Sequence, residues 1–385
     1  MGNSKLLYQI VFDTIFAKIL SGTYQEGDLL PSEREIGDQF NVDRTTVRKA
    51  LQLLVEEKLV VKLPGIGTKV IGKGQHVSGK EKQHTELREK AKGTIGFFLP
   101  PSVHRTDRIS QPFYSSLFYY TEKEARSKGY SCIYSTLDEN DDFEEMLRNH
   151  LYEGIIFLSN TPENFISIAQ NADIPCILVN EYTEQTLSFL ADSTNGMIQM
   201  CDYLISLGHK KFALISGIES YLTSRERLIG CTYSFAKNSI PKPYYVCTDW
   251  EPDTAYEITK MLLMSVEDLP TAIVAFNDNI AFGCLRAASE LGLRIPQDIS
   301  IVGFDDIEQS RYSIPTLTTV HASIETLAKS SLQGLLIQIA DPTCIIKLKS
   351  YVPCSLSIRE SAGPPPRFPP KLTKLKKGEN LHETN

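Results

Sequence analysis

Six polar side chains and one indole stand just beyond short apolar runs in this chain. Asn180 follows Cys176 to Val179. Arg225 and Arg227 lie beyond Phe212 to Ser216, and Trp250 follows Tyr245 to Cys247. Asn277 and Asp278 follow Ala272 to Ala275, and Asp305 follows Ser300 to Gly303. Where apolar runs form parallel strands, small ligands bind beyond the carboxyl ends of those strands. Asp, Asn and Arg supply the paired, planar donors and acceptors that vicinal hydroxyls need. An aromatic face suits the C–H side of a sugar ring. The chemistry expected of this set is recognition of a small polyhydroxylated molecule. Nothing points to catalysis: the sequence has no Ser/His/Asp elbow, no paired-carboxylate site, no Lys-centred cofactor motif and no metal-ligand spacing, so no cofactor is expected.

A second set of residues could read nucleic acid. Ser32 is placed as an N-cap with Glu35 three residues on, a capping box. A further helix starts near Asp43. Its apolar residues Val47, Ala50, Leu51 and Leu54 fall at i, i+3, i+4 and i+7 and line one face. The other face shows Arg44, Thr45, Arg48, Lys49 and Gln52, a pattern suited to a major groove. The connection Phe40-Asn41-Val42 is short enough for a helix-turn-helix. Tyr8, Val11, Ile15 and Ile19 form an earlier helical stripe, closed by Gly22 as a stop signal. Leu59 to Leu63 and Thr68 to Ile71 read as strands around the turn Pro64-Gly65-Ile66-Gly67. Residues 1 to 74 hold ten basic and nine acidic residues, so affinity for DNA would rest on a few placed cations.

These elements need scaffolds. A chain of 385 residues is long enough for two or three domains. Between residues 93 and 360, apolar runs alternate with helical stretches such as Phe113 to Lys128 and Asn195 to Leu207. That alternation implies a doubly wound parallel sheet, and the number of runs implies two lobes. Apolar periodicity vanishes at 73–92, which reads as a linker. The segment 363–385, rich in proline and then lysine, reads as a disordered tail. The net charge of -7 argues against a protein that coats nucleic acid non-specifically. The eight cysteines form no C-x-x-C pair, and with no secretory signal they read as reduced thiols in a cytoplasmic protein. No apolar run is long enough to span a membrane.

The amino-terminal motifs resemble those of the GntR family of bacterial regulators: Pro-Ser-Glu at 31–33, Arg44-x-Thr46-Val47-Arg48-x-Ala50-Leu51, and Gly65-x-Gly67-Thr68-x-Val70. The resemblance implies a winged helix-turn-helix over residues 1–72. It implies DNA contacts from Ser32, Arg34, Arg44, Thr45, Thr46 and Arg48, and from Gly65, Gly67 and Thr68 in the wing. Two positions depart from the pattern: Ile66 where the wing often has a basic residue, and Gly37 where alanine is usual. Further along, Asn277-Asp278-Asn279, then Leu293-Arg294-Ile295-Pro296-Gln297-Asp298, then Gly303-Phe304-Asp305-Asp306 are similar to the effector domain of the LacI/GalR family. Leu207-Gly208-His209 fits the same pattern, and Arg359-Glu360-Ser361 matches that family's final strand. This likeness implies two lobes joined by three crossovers, a dimer, and an effector domain over 93–362. It implies ligand contacts from Arg227, Asn277 and Asp305, stacking by Trp250, and Phe113 and Tyr114 on the first-lobe side; Asn180 and Arg225 join the expected set from their place beyond strands alone. A head of the first kind on a body of the second resembles the bacterial arabinose repressors. The function implied is a repressor of carbohydrate genes, released from operator DNA by a pentose or deoxyhexose such as arabinose or fucose.

Overall fold

A computed structural model describes residues 7–20, 23–25, 27–40, 42–56, 59–63, 67–71, 92–101, 107–138, 140–341, 343, 347–368, 370 and 372. Gly22, Asn41, Gly65, Ile66 and most of the expected linker lie outside them. The chain divides into two compact units, Met1–Lys92 and Gly93–Asn385.

In the first unit, helix α1 (Leu7–Leu20) precedes α2 (Glu33–Phe40) and α3 (Arg44–Glu56). The capping box forms: Glu35 N donates to Ser32 Oγ at 3.3 Å, and Ser32 N donates to Glu35 Oε2 at 2.7 Å. Asp43 caps α3 by accepting from Thr46 N at 2.8 Å. Val47, Ala50, Leu51 and Leu54 are buried against Val11, Ile15 and Ile19 of α1 and Ile36 of α2. The two strands, β1 (Val60–Leu63) and β2 (Gly67–Val70), pair antiparallel and close the wing. A Cβ on Gly37 would lie 3.0 Å from the Val42 carbonyl oxygen. Glycine thus lets the turn fold tightly onto α2 and offsets its helix-propensity cost of about 1 kcal/mol.

The second unit holds two six-stranded sheets. The first lobe contains β3 (Gly93–Leu99), β4 (Tyr130–Thr136), β5 (Tyr152–Leu158), β6 (Cys176–Val179), β7 (Leu187–Ala191) and β13 (Lys349–Val352), ordered β13-β7-β6-β5-β3-β4 and all parallel. The second lobe contains β8 (Phe212–Ser216), β9 (Tyr244–Cys247), β10 (Ala272–Ala275), β11 (Ser300–Asp305), β12 (Thr318–Ala322) and β14 (Cys354–Ser357), ordered β14-β12-β11-β10-β8-β9. Only β14 runs antiparallel to its neighbour. Helices α4 (Pro112–Ser127), α5 (Phe143–Asn149), α6 (Glu163–Asn171) and α11 (Ile324–Ala340) belong to the first lobe. Helices α7 (Ser193–Ser206), α8 (Leu222–Lys237), α9 (Pro252–Ser265) and α10 (Asp278–Glu290) belong to the second. Central strands such as Ile156, Leu158, Val274 and Val302 are wholly buried, as strands covered on both faces must be.

The chain passes between lobes three times, after Ala191, after Ala322 and at Pro353. The first two passages end in helix caps, Asp192 accepting from Asn195 N and Ser323 from Thr326 N. At the third, Tyr351 Oη of the first lobe donates to Glu226 Oε1 of the second at 2.9 Å. The final strand differs from expectation. It is Cys354–Ser357, and Arg359 to Ser361 form a loop that binds β11 and β12 by hydrogen bonds instead. The start of the expected tail is also docked: Gly363 O accepts from His209 Nε2 at 2.8 Å and from Ser300 Oγ at 3.0 Å. The seven described cysteines are free. Burial pushes the Cys132, Cys176 and Cys284 thiols up to about 12, which leaves them unreactive.

Candidate functional site

The carboxyl ends of both sheets face a cleft that holds about 780 Å³ out to its open mouth. Seven of the eight expected ligand residues line it: Phe113, Tyr114, Asn180, Arg227, Trp250, Asn277 and Asp305. At its centre Arg227, on the first turns of α8, donates through Nη2 to Asp305 Oδ1 at 3.1 Å and through Nη1 to Phe276 O. Its guanidinium lies 3.8 Å from the Phe304 ring centroid, and its Nε is buried without a partner. Burial raises the Asp305 carboxyl to about 6 despite the opposing pull of Arg227. Behind it, Asp278 is fully buried and accepts from Ile307 N, Ser310 Oγ and Thr319 Oγ1. Burial, then the neighbouring Asp305 charge, raises Asp278 to about 7.

Trp250 follows β9 and lines the cleft as a flat apolar surface. A Cβ on Gly217 would lie 2.0 Å from the indole Cε2, so glycine there makes room for the ring. Asn277 caps α10 by accepting from Ile280 N at 2.8 Å, which turns its amide nitrogen into the group available to a ligand. Asn180 donates to Ser159 Oγ at 2.8 Å. Asn160, Asn180, Trp250 and Asp305 all adopt positive φ, at 67°, 62°, 73° and 110°. Such left-handed backbone at strand ends is strain of the kind that collects at ligand clamps. Gln111 Nε2 of the first lobe donates to Glu251 Oε1 of the second at 2.9 Å, tying the lobes together.

Arg225 does not join this set. It is exposed and donates to Ser220 O at 2.8 Å, because two residues along a helix turn a side chain about 200° from Arg227. The cleft also holds residues the sequence reading missed, among them Arg108, Glu181, Tyr221 and Asp249. Glu181 and Asp249 follow β6 and β9, so the strand-end rule could have found them. Arg108 stands in a 3-10 turn (Arg108–Ser110) where no pattern marked it.

On the winged unit, Arg44 and Thr45 are exposed at the start of α3, with Arg48 and Lys49 one turn on. Arg48 Nε donates to Glu33 Oε2 at 2.7 Å, and Lys62 Nζ lies 3.9 Å from the same carboxylate. Arg34 is exposed and lies 3.9 Å from Asp38. The hydroxyls of Ser32 and Thr46 serve the helix caps. Thr68 is only 9% exposed and its carbonyl accepts from Leu30 N, so it supports the wing from within and does not face outward. Gly67 has φ 136°, which favours glycine at the wing's turn. Gly65 lies outside the described residues. No helix among them is long and apolar enough to cross a membrane, and no cluster could hold a metal ion.

Known proteins share this arrangement. Residues 7–70 match the family described as bacterial regulatory proteins, gntR family, and residues 201–362 match the periplasmic binding protein-like domain. The probable HTH-type transcriptional repressor ExuR of Bacillus subtilis (strain 168) is 27% identical over 317 residues, 80% of this chain and 92% of that protein. The HTH-type transcriptional repressor PurR of Actinobacillus pleuropneumoniae serotype 3 (strain JL03) is 30% identical over 307 residues, 72% of this chain and 89% of that protein. A LacI family transcriptional regulator from Enterococcus faecium, solved with bound ribose, superposes with a TM-score of 0.62 at 25% identity over 70% of this chain and 99% of that one. The lac repressor dimer bound to operator and the anti-inducer ONPF gives 0.63 at 25% identity, over 73% of this chain and 98% of that one.

Proposed function

The chain belongs to the HTH-type transcriptional repressors, with a GntR-family winged helix-turn-helix and a LacI-type effector body, and we propose that it represses carbohydrate-utilisation genes until a monosaccharide binds between its lobes. It is a DNA-binding regulator, not an enzyme. The observation that carries the sugar reading is the cleft's make-up: Arg227 paired with Asp305, the Asn277 amide and the Trp250 face stand together at strand ends. That set matches the hydroxyls and the C–H face of a sugar ring. The ribose-bound relative supports the same class. Within that class, a pentose such as arabinose or a deoxyhexose such as fucose carries such hydroxyls and such a face. Arg44, Thr45 and Arg48 read operator bases from α3, and two copies of the chain, joined through their effector bodies, present two heads to two half-sites.

A thermal-shift screen against monosaccharides tests the effector. A ligand at about 100 times its dissociation constant should stabilise the body by roughly 2.7 kcal/mol. Arg227→Ala should abolish that shift yet keep operator binding in a gel. Arg44→Ala should do the reverse, at a cost of about 1–3 kcal/mol in operator discrimination. Failure of Arg227→Ala to change ligand affinity would remove the cleft from the argument.

A further inference from the structure

We infer that the effector is an anionic sugar whose acid group is received by Arg108 and the start of helix α4. This rests on the reading of the cleft as the effector site. Arg108 is 3% exposed and lines that cleft. Its Nη1 donates to Pro100 O at 2.8 Å and Ser159 O at 3.2 Å, and its Nη2 donates to Tyr114 Oη at 2.5 Å. The Tyr114 ring centroid is 4.8 Å from the guanidinium carbon. Every one of these partners is neutral. No carboxylate among the described residues makes an ion pair with Arg108, whereas Arg227 across the cleft has Asp305. A buried charge held only by dipoles is costly unless a counter-charge arrives.

The cleft's own acids are otherwise engaged. Glu181 accepts from the backbone N–H groups of Asn160 and Tyr182. Asp249 accepts from Glu251 N and Thr254 Oγ1, and Asp305 takes Arg227. These carboxylates remain suited to accepting from sugar hydroxyls. The neutral donors fix Glu181 and Asp249 in place without pairing either of them to Arg108.

A second feature adds to it. Helix α4 begins at Pro112, its N-cap Gln111 makes no side-chain cap, and its first backbone bond runs from Ser115 N to Gln111 O. The N–H groups of Phe113 and Tyr114 are thus not used within the helix, and both residues line the cleft beside Arg108. The positive end of a 16-residue helix therefore reinforces the guanidinium. From the other lobe, the unpartnered Nε of Arg227 offers one more buried donor. A carboxylate or a phosphate on the sugar supplies the same charge, and the two are separated by experiment.

Calorimetry on the full chain at fixed ionic strength compares matched probes. Ribose, arabinose, galactose and glucose form the neutral arm. Arabinonate, galacturonate and glucuronate form the carboxylate arm, and ribose 5-phosphate and glucose 6-phosphate the phosphate arm. At least one anionic probe should bind tenfold or more tighter than its neutral counterpart. Arg108→Gln should erase that preference, and Arg108→Lys should keep part of it. Should Arg108→Gln fail to fold, the wild-type comparison still decides. Neutral sugars binding as tightly as their acids would overturn the inference and leave the monosaccharide effector standing. Absence of binding by all three arms would overturn both.

Discussion

Asp278 and Asp305 are neighbouring buried carboxylates, and Asp278 packs on Gly303, where a Cβ would lie 2.2 Å from its Oδ1. Both are raised above their value in an unfolded chain, to about 7 and about 6. A carboxyl raised by folding favours its protonated form. Its contribution to stability is complete below about pH 4 and is lost as the pH rises through 6 and 7. Urea unfolding at pH 5 and pH 8 should show the wild-type body losing on the order of 2–4 kcal/mol more than Asp278→Asn. Equal losses in the two proteins would mean that Asp278 does not titrate in this range. At this scale the sequence was readable wherever a residue followed a strand, as for Asn180, Asn277 and Asp305. It was misleading for Arg225, because the strand-end rule does not say which face of the following helix a side chain takes. Arg108 was invisible, since its burial comes from a turn packed against Pro100 and Ser159, far from any periodic element.

Among elements, those with one clear face or two apolar buried faces were legible, whereas β7 and β12, though buried, carry Ser188 and Thr318, Thr319 and His321, which broke the apolar run. The apolar stripe of α3 falls on the buried side residue for residue. Strands β6, β8 and β10 lie where their apolar runs predict, because a strand covered on both sides must be apolar throughout. Strands β13 and β14 escaped notice: they are sheet edges, and Lys349, Ser350, Tyr351 and Ser355 keep polar or exposed positions that no apolar run marks. The turn before α4 carries the interlobe bond from Gln111 to Glu251. That bond favours closure, and an exchanged hydrogen bond to a charged partner at a half-exposed site is worth about 1 kcal/mol. Gln111→Ala should therefore weaken effector affinity roughly three- to tenfold by calorimetry, with operator affinity of the free protein unchanged. Unaltered effector affinity would show that the bond does not distinguish open from closed lobes.

For the whole molecule, the effector acts only through a difference in its affinity for DNA-competent and DNA-incompetent states. Coupling of about 1–3 kcal/mol corresponds to operator affinity falling roughly 5–150-fold when the effector is bound. Linkage makes the effect mutual: operator DNA should weaken effector binding by the same factor. Titrating the effector with and without a saturating operator duplex measures this directly. Equal affinities would break the coupling, and tighter effector binding on DNA would make the effector a co-repressor. The two-lobed body was legible as a whole because alternating apolar runs and helices admit few arrangements. Its three passages came from family likeness, since periodicity alone does not say to which sheet a strand returns.

Those passages give the body an unusual order of assembly during synthesis. The first lobe's sheet lacks β13, and the second lobe's lacks β14, until residues 349–357 have been synthesised, after every other strand of both sheets. A chain cut short before Lys349 carries a complete DNA-reading head on a body with two unpaired sheet edges, which are templates for aggregation. A chain ended at residue 348 should precipitate rather than occupy operators without an effector response, which a solubility assay checks. Stop codons introduced just before residue 349 should therefore behave as loss of the repressor, although they leave the DNA-reading head intact.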